Sequence, residues 1–237
     1  AISLNPDFRE GFGGLGNTLA AQGDTLRAIE AYRTLVALCP EEPTAIFNLG
    51  QLLYDAGNLE DAIAAFDRYI ELEPQDPEGF MRIAFPLEDL GNMERAAEAY
   101  NRVLQLAPGN VNALSNLGNI LENVGDLESA MGAYERALTV SPQYLQAMAG
   151  VSRVLGKAGR FDDALRTFRE TLRIYPGEGF VWVDLGRLFE RAGDYRQAIG
   201  AYQEATRVAP LETEGYYALA ETFIGLGLNQ EARQIQE

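Results

Sequence analysis

The sequence predicts an all-α fold, a solenoid of antiparallel helix pairs stacked in chain order, and three registers predict it. Proline recurs every 34 residues at Pro6, Pro40, Pro74, Pro108, Pro142, Pro176 and Pro210. Glycine keeps the same interval from Gly23 through Gly57 and Gly91 to Gly227, and alanine from Ala28 through Ala62 and Ala96 to Ala232. Self-similarity at a fixed period of this size marks units that bury their apolar faces only against their neighbours.

Within a period the elements follow in order. Phe12, Leu15, Gly16 and Leu19 open the first unit, matched by Ile46, Leu49, Gly50 and Leu53, and by Trp182, Leu185, Gly186 and Phe189. Their spacing of three and four residues puts them on one face of a first helix. Ala28, Tyr32 and Leu35, or Ala198, Tyr202 and Ala205, do the same for a second helix. There the small alanine admits a close neighbour and the aromatic ring fills the groove beside it. Between the helices, each periodic glycine suits the left-handed residue that ends a helix. Asp24, Asn58, Asn92, Asp126 and Asp194 follow it as predicted caps of the second helix. Glu60, Asp61, Glu94 and Glu128 favour that helix's positive end. The periodic proline then stops the second helix.

The pattern resembles the tetratricopeptide repeat family, W-x2-L-G-x2-Y, A-x3-F and P over one period. The resemblance covers the whole chain, with Ala84, Ser152 and Ala220 replacing the small glycine of the first helix. It implies a right-handed superhelix whose first helices line the concave side. Residues 1–237 are then a single array. Residues 1–8 are the tail of a preceding repeat, and repeats run near 9–42, 43–76, 77–110, 111–144, 145–178 and 179–212, with an incomplete one at 213–237. Arg233 and Gln236 replace apolar residues of other units, as a polar capping unit requires. The missing initiator methionine and the open first end point to a fragment of a longer protein.

Composition narrows the chemistry. With 19 basic and 35 acidic residues the net charge is −16, which repels phosphate backbones and argues against nucleic acid. Residues 1–142 are far more acidic than the remainder. Histidine is absent, and there is one cysteine, Cys39, which precedes Pro40 and is expected to be small and buried. The commonest general base and a cysteine-rich zinc site are both missing, so no catalytic residue, metal or cofactor is assigned. Gly11–Gly16 spells G-x-G-x-x-G, but it lies on repeat positions with no strand before it, so it is expected to soften the first helix rather than hold a nucleotide. No apolar run reaches the length of a membrane span. A soluble cytoplasmic protein is expected, with any membrane contact made through partners, and the arginine-rich, lysine-poor composition points to a bacterial source.

Candidate binding residues lie on the first helices. Phe47, Asn48, Tyr54, Asp55, Met81, Arg82, Phe85, Glu88, Asp89, Asn119 and Glu122 form an acidic, aromatic stripe suited to a basic amphipathic peptide or helix. Farther on, Arg153, Lys157, Arg187 and Arg191 form a basic square for a carboxylate, a phosphate or an acidic segment, unless Glu122, Glu190 and Glu221 neutralise it. Some family members clamp C-terminal carboxylates with Lys, Asn, Asn, Lys and Arg. Asn17, Asn48 and Arg82 match that clamp, whereas Gly13 and Glu78 replace its lysines. Pro86 is expected to kink the third unit's first helix by removing the bond to the Arg82 carbonyl. The functional expectation is a non-catalytic module that binds a protein or peptide as adaptor or scaffold. A self-associating scaffold coating an organelle membrane and a regulatory region of a larger enzyme are the alternatives.

Overall fold

The computed structural model describes residues 6–236, and the side chains of residues 10–235. Among them are fourteen helices and no strand. The first six are α1 (Pro6–Ala21), α2 (Thr25–Leu38), α3 (Pro43–Asp55), α4 (Leu59–Leu72), α5 (Pro77–Asp89) and α6 (Met93–Leu106). Next come α7 (Val111–Val124), α8 (Leu127–Val140), α9 (Leu145–Lys157) and α10 (Phe161–Ile174). The last four are α11 (Gly179–Arg191), α12 (Tyr195–Val208), α13 (Thr213–Gly225) and α14 (Asn229–Gln236).

Two compact units divide the chain, Ala1–Ala113 and Leu114–Glu237, with the boundary inside α7. In the first, α1 packs on α2, α3 on α4 and α5 on α6, and α2 and α4 also touch the first helix of the next pair. In the second, α9 packs on α10, α11 on α12 and α13 on α14. Of the predicted tail at 1–8, residues 1–5 lie outside the described residues. Residues 6–8 open α1, which starts ahead of the register set by Pro43 and Pro77. Gly11–Gly16 lies inside α1, helical throughout, so no strand–turn–helix carries that glycine pattern. The Gln236 side chain of the predicted cap lies outside the described residues.

The punctuation works as its chemistry requires. All seven periodic glycines have φ between +75° and +87°, a region costly for any residue with a Cβ. After them Asp24, Asn92, Asp126 and Asp194 accept from the backbone N–H three residues on. Asn58 does not: it occupies the cap position without the side-chain bond, and Glu60 and Asp61 support that helix end instead. Cys39 is half-buried rather than buried, and its N–H donates to the Leu35 carbonyl at 2.8 Å as α2 ends.

The core is a repeated meeting of small residue and ring. A Cβ on Gly118 would lie 2.6 Å from the Tyr134 ring, and one on Gly150 would lie 2.4 Å from the same ring. Gly16 and Gly186 stand in the same relation to Tyr32 and Tyr202, and Gly50 to Phe66. Ala84 and Ser152, which break the glycine register, are fully buried. Leu15 departs from its counterparts: Leu49 and Leu185 are buried, but Leu15 is 47% exposed, with no helix of an earlier pair over it among the described residues. Pro86, expected to kink α5, lies inside that helix. The ring is buried, α5 ends at the position equivalent to the end of α3, and the Leu90 N–H reaches the Pro86 carbonyl at 3.1 Å. Three residues before its terminus, the helix loses the bond that the imide cannot donate.

Candidate functional site

In the first unit, the tyrosine of a second helix reaches through to the face of the first helices. Tyr32 of α2 donates its hydroxyl to Asn17 Oδ1 at 2.6 Å and accepts from Asn48 Nδ2 at 3.0 Å. Because the phenol has one proton, these bonds fix both amides: Asn17 turns its NH2 outward and Asn48 its carbonyl. They edge a cleft of about 380 Å³ whose rim carries Glu10 and Glu42. An outward donor beside an outward acceptor is the complement of a peptide unit.

The predicted stripe divides on inspection. Tyr54 and Phe85 are half-exposed and stack at 6.4 Å, joining α3 to α5. Asp55 and Asp89 are exposed beside them, and Gln51 donates to Asp55 at 2.8 Å. Burial and then the neighbouring Asp89 carboxylate raise the Tyr54 phenol above its ordinary value. Glu88 is half-buried and accepts the Tyr100 hydroxyl. Burial raises its carboxyl; the Tyr100 bond opposes that shift and Asp89 adds to it. Arg82 is held by Glu78 at 2.7 Å, so that acid occupies the cation. In this unit two members leave the stripe. Met81 is 7% exposed, turned into the core rather than the groove. Phe47 packs against Tyr69 and Phe66, at 5.0 and 5.9 Å, as part of the contact between α3 and α4.

In the second unit the predicted basic square is largely occupied by this chain's own acids. Arg153 bonds Glu122 at 3.0 Å, Asp184 at 3.2 Å and Asn119 Oδ1 at 2.9 Å. Lys157 pairs with Glu122 at 2.8 Å, and Arg187 with Glu214 at 2.9 Å and Asp184 at 3.5 Å. The Tyr134 hydroxyl, with one proton to donate, lies 2.7 Å from Asn119 Oδ1 and 3.0 Å from Glu122 Oε2, and it accepts from Arg153 at 3.2 Å. Glu122 is only 4% exposed, so it is a buried counter-ion and not a groove carboxylate. Burial pushes its carboxyl up, but Arg153 and Lys157 outweigh that and hold it below the ordinary value. At Asp184 burial wins over Arg153, and the carboxyl is raised. Glu190 serves Tyr202 and Thr222, at 2.8 and 2.6 Å, instead of a cation. Of the square, Arg191 alone makes no ion pair among the described residues. Asp184 and Glu214 were not anticipated; Asp184 lies one turn before Arg187 on the same helix, where such pairs form, whereas Glu214 reaches Arg187 from α13.

No group of three His, Cys, Asp or Glu side chains among the described residues could hold a metal ion. No helix there is long and apolar enough to cross a membrane. The tetratricopeptide repeat profiles match residues 14–77 and 183–237, 111–177, and 79–110. The chain belongs to the tetratricopeptide repeat (TPR) family. A TPR protein of Parabacteroides merdae has a similar structure, with TM-score 0.90 at 17% identity over 97% of this chain and 91% of that one. MamA from Desulfovibrio magneticus aligns at TM-score 0.62 and 19% identity, over 71% of this chain and 95% of its own. YrrB, described as a TPR protein with an unusual peptide-binding site, aligns at 0.59 and 19%, over 80% and 98%. No curated protein sequence matched.

The solved structures establish the TPR fold, and the TPR fold is generally a protein-interaction module. Against the family's carboxylate clamp, Asn17 and Asn48 meet at one tyrosine, but Gly13 supplies no charge and Glu78 cancels Arg82. The first unit's face is therefore rich in amides, aromatics and carboxylates, and poor in free cations.

Proposed function

We propose that this TPR chain is a non-catalytic adaptor or assembly scaffold, and that the first-helix face of its first unit binds a basic, aromatic-bearing peptide or partner helix. The observation that carries the reading is the pair of outward amide groups on Asn17 and Asn48, held by Tyr32 beside a cleft with glutamate rims. Main-chain bonding there supplies register. Tyr54, Phe85, Asp55 and Asp89 supply selection, because aromatic faces and carboxylates both favour Lys and Arg. YrrB's peptide-binding site, on the same fold, adds support for an extended ligand.

Calorimetric titration with a short peptide of Lys, Arg, Phe and Leu tests this. The wild-type chain binds saturably, and Asp55→Lys with Asp89→Lys weakens binding at least about tenfold through like-charge contact. Asn48→Leu weakens it by a similar factor without changing its salt dependence. An acidic peptide bound as tightly as the basic one, or binding indifferent to both variants, refutes the assignment.

A further inference from the structure

We propose a second, separate site on the second-helix face of the second unit, a trough between α10 and α12 that binds an acidic peptide segment carrying an apolar anchor. The trough measures about 660 Å³. Leu172, Trp182, Leu185, Phe189 and Ala201 form its apolar floor, and Arg169, Arg173 and Arg196 stand over it. Arg169 and Arg196 make no ion pair among the described residues, whereas Arg173 is held by Glu170 at 2.8 Å. Glu204 also lines the trough, and Arg207 takes its charge at 2.7 Å. Gly200 leaves the wall open, since a Cβ there would meet nothing within 4 Å.

The other repeats serve as internal controls. The residues one period before Arg169, Arg173 and Arg196 are Glu135, Thr139 and Asp162. Two periods before they are Asn101, Gln105 and Glu128, and three before, Asp67, Glu71 and Glu94. No other interval carries three cations there. Arg196 is also set against its own helix. It lies in the first turn of α12, which like α2 has no acid there, whereas α4, α6, α8 and α10 begin with Glu60, Glu94, Glu128 and Asp162. A cation at a helix's positive end is destabilising. The Asp194 carboxylate at the cap meets part of that charge, and an anionic ligand is the partner that the Arg169 and Arg196 guanidinium groups together call for. An apolar floor beneath unpaired guanidinium groups selects a segment that alternates carboxylates with a leucine or phenylalanine. A second copy of this chain would bring a net charge of −16 against the same charge, which disfavours it as the occupant.

Trp182, the sole tryptophan, lies in the floor and reports occupancy directly. Titration of the full chain with a short tryptophan-free peptide of Glu, Asp, Leu and Phe is expected to shift its emission saturably. Affinity should fall as salt is added. Arg169→Glu with Arg196→Glu is expected to weaken binding on the order of a hundredfold, about tenfold for each lost charge-assisted bond. Gly200→Leu fills the trough without touching the core and should abolish the shift while circular dichroism stays unchanged. An unmoved emission, an equal response to a basic peptide, or a response indifferent to both variants overturns the proposal. So does a shift that follows protein concentration without peptide, which would assign the trough to self-association. Asp55→Lys with Asp89→Lys should leave this titration unchanged, so the two sites fail or stand independently.

Discussion

Replacing Arg153 by Met removes the hub of the buried charge network in the second unit and nothing else of comparable size. Glu122 and Asp184, 4% and 8% exposed, lose their bonds at 3.0 and 3.2 Å. Removing one partner from a buried pair costs about 3–5 kcal/mol, because the remaining charge stays out of water. Two residual contacts hold this case near the lower end: Lys157 stays on Glu122 at 2.8 Å, and Arg187 on Asp184 at 3.5 Å. A loss of about 3 kcal/mol multiplies the opening equilibrium on the order of a hundredfold. Amide hydrogen exchange along α9 and α11 reads it locally, and so does not require the two units to unfold as one. Arg82→Ala is the control; its pair with Glu78 is exposed and contributes about 0.5 kcal/mol or less. The pH dependence separates charge from packing. In the wild type the lowered Glu122 carboxyl adds stability that is present above its ordinary value of 4.5 and is lost as pH falls through its lowered value. Without Arg153, burial dominates and the sign reverses, so the variant's deficit shrinks as falling pH lets the buried carboxyls take protons. Equal costs for Arg153→Met and Arg82→Ala, or a deficit that grows on acidification from neutral pH, would refute the network account.

Three further outcomes follow. Gly118→Ala presses a methyl against a ring already pinned by Gly150 and should cost about 1–3 kcal/mol in chemical denaturation, whereas Gly132→Ala, in open helix, should gain about 1 kcal/mol. Glu88 has a raised carboxyl, so its ionisation opposes folding at neutral pH and ceases to as pH falls through that raised value. Glu88→Gln should therefore be more stable than wild type at neutral pH and lose the advantage on acidification, as followed by denaturation across pH. Gly125→Ala places a Cβ at φ +87° and should lower the melting temperature, by about 1–2 kcal/mol in stability, with no change in peptide affinity.

The helix pairs were legible because each depends on local chemistry repeated seven times. A glycine at positive φ, an acceptor behind it and a ring against a small residue need no knowledge of distant neighbours. The candidate site was less legible, because its residues answer to contacts across repeats. Met81 occupies the same repeat position as Phe47, yet one is buried and the other half-buried between α3 and α4. The Tyr32 hydroxyl joins Asn17 to Asn48 across two helix pairs, and periodicity alone carries no sign of which side chains a phenol will bridge. The basic square failed as an open patch for a countable reason. Asp184 stands one turn and Glu214 two turns before the register at which cations and acids were compared, so their charges went unpaired in the sequence and paired in space.

An array of near-identical units makes function readable by difference. Where packing decides a position, the seven units agree, as at the glycine turns and the buried alanines. Where they disagree, a demand beyond the shared packing pattern is worth seeking. Asn17 with Asn48, Tyr54 with Phe85, and the three arginines over Trp182 are disagreements of that kind. Their chemistry is also opposed, carboxylates and amides on one face of the first unit and guanidinium groups on the other face of the second. The two sites proposed above differ in charge and in lining residues, so a basic and an acidic segment would not compete for one of them. Joint titration should therefore show each peptide's affinity unchanged by saturation with the other, and mutual displacement would mean that a single surface serves both.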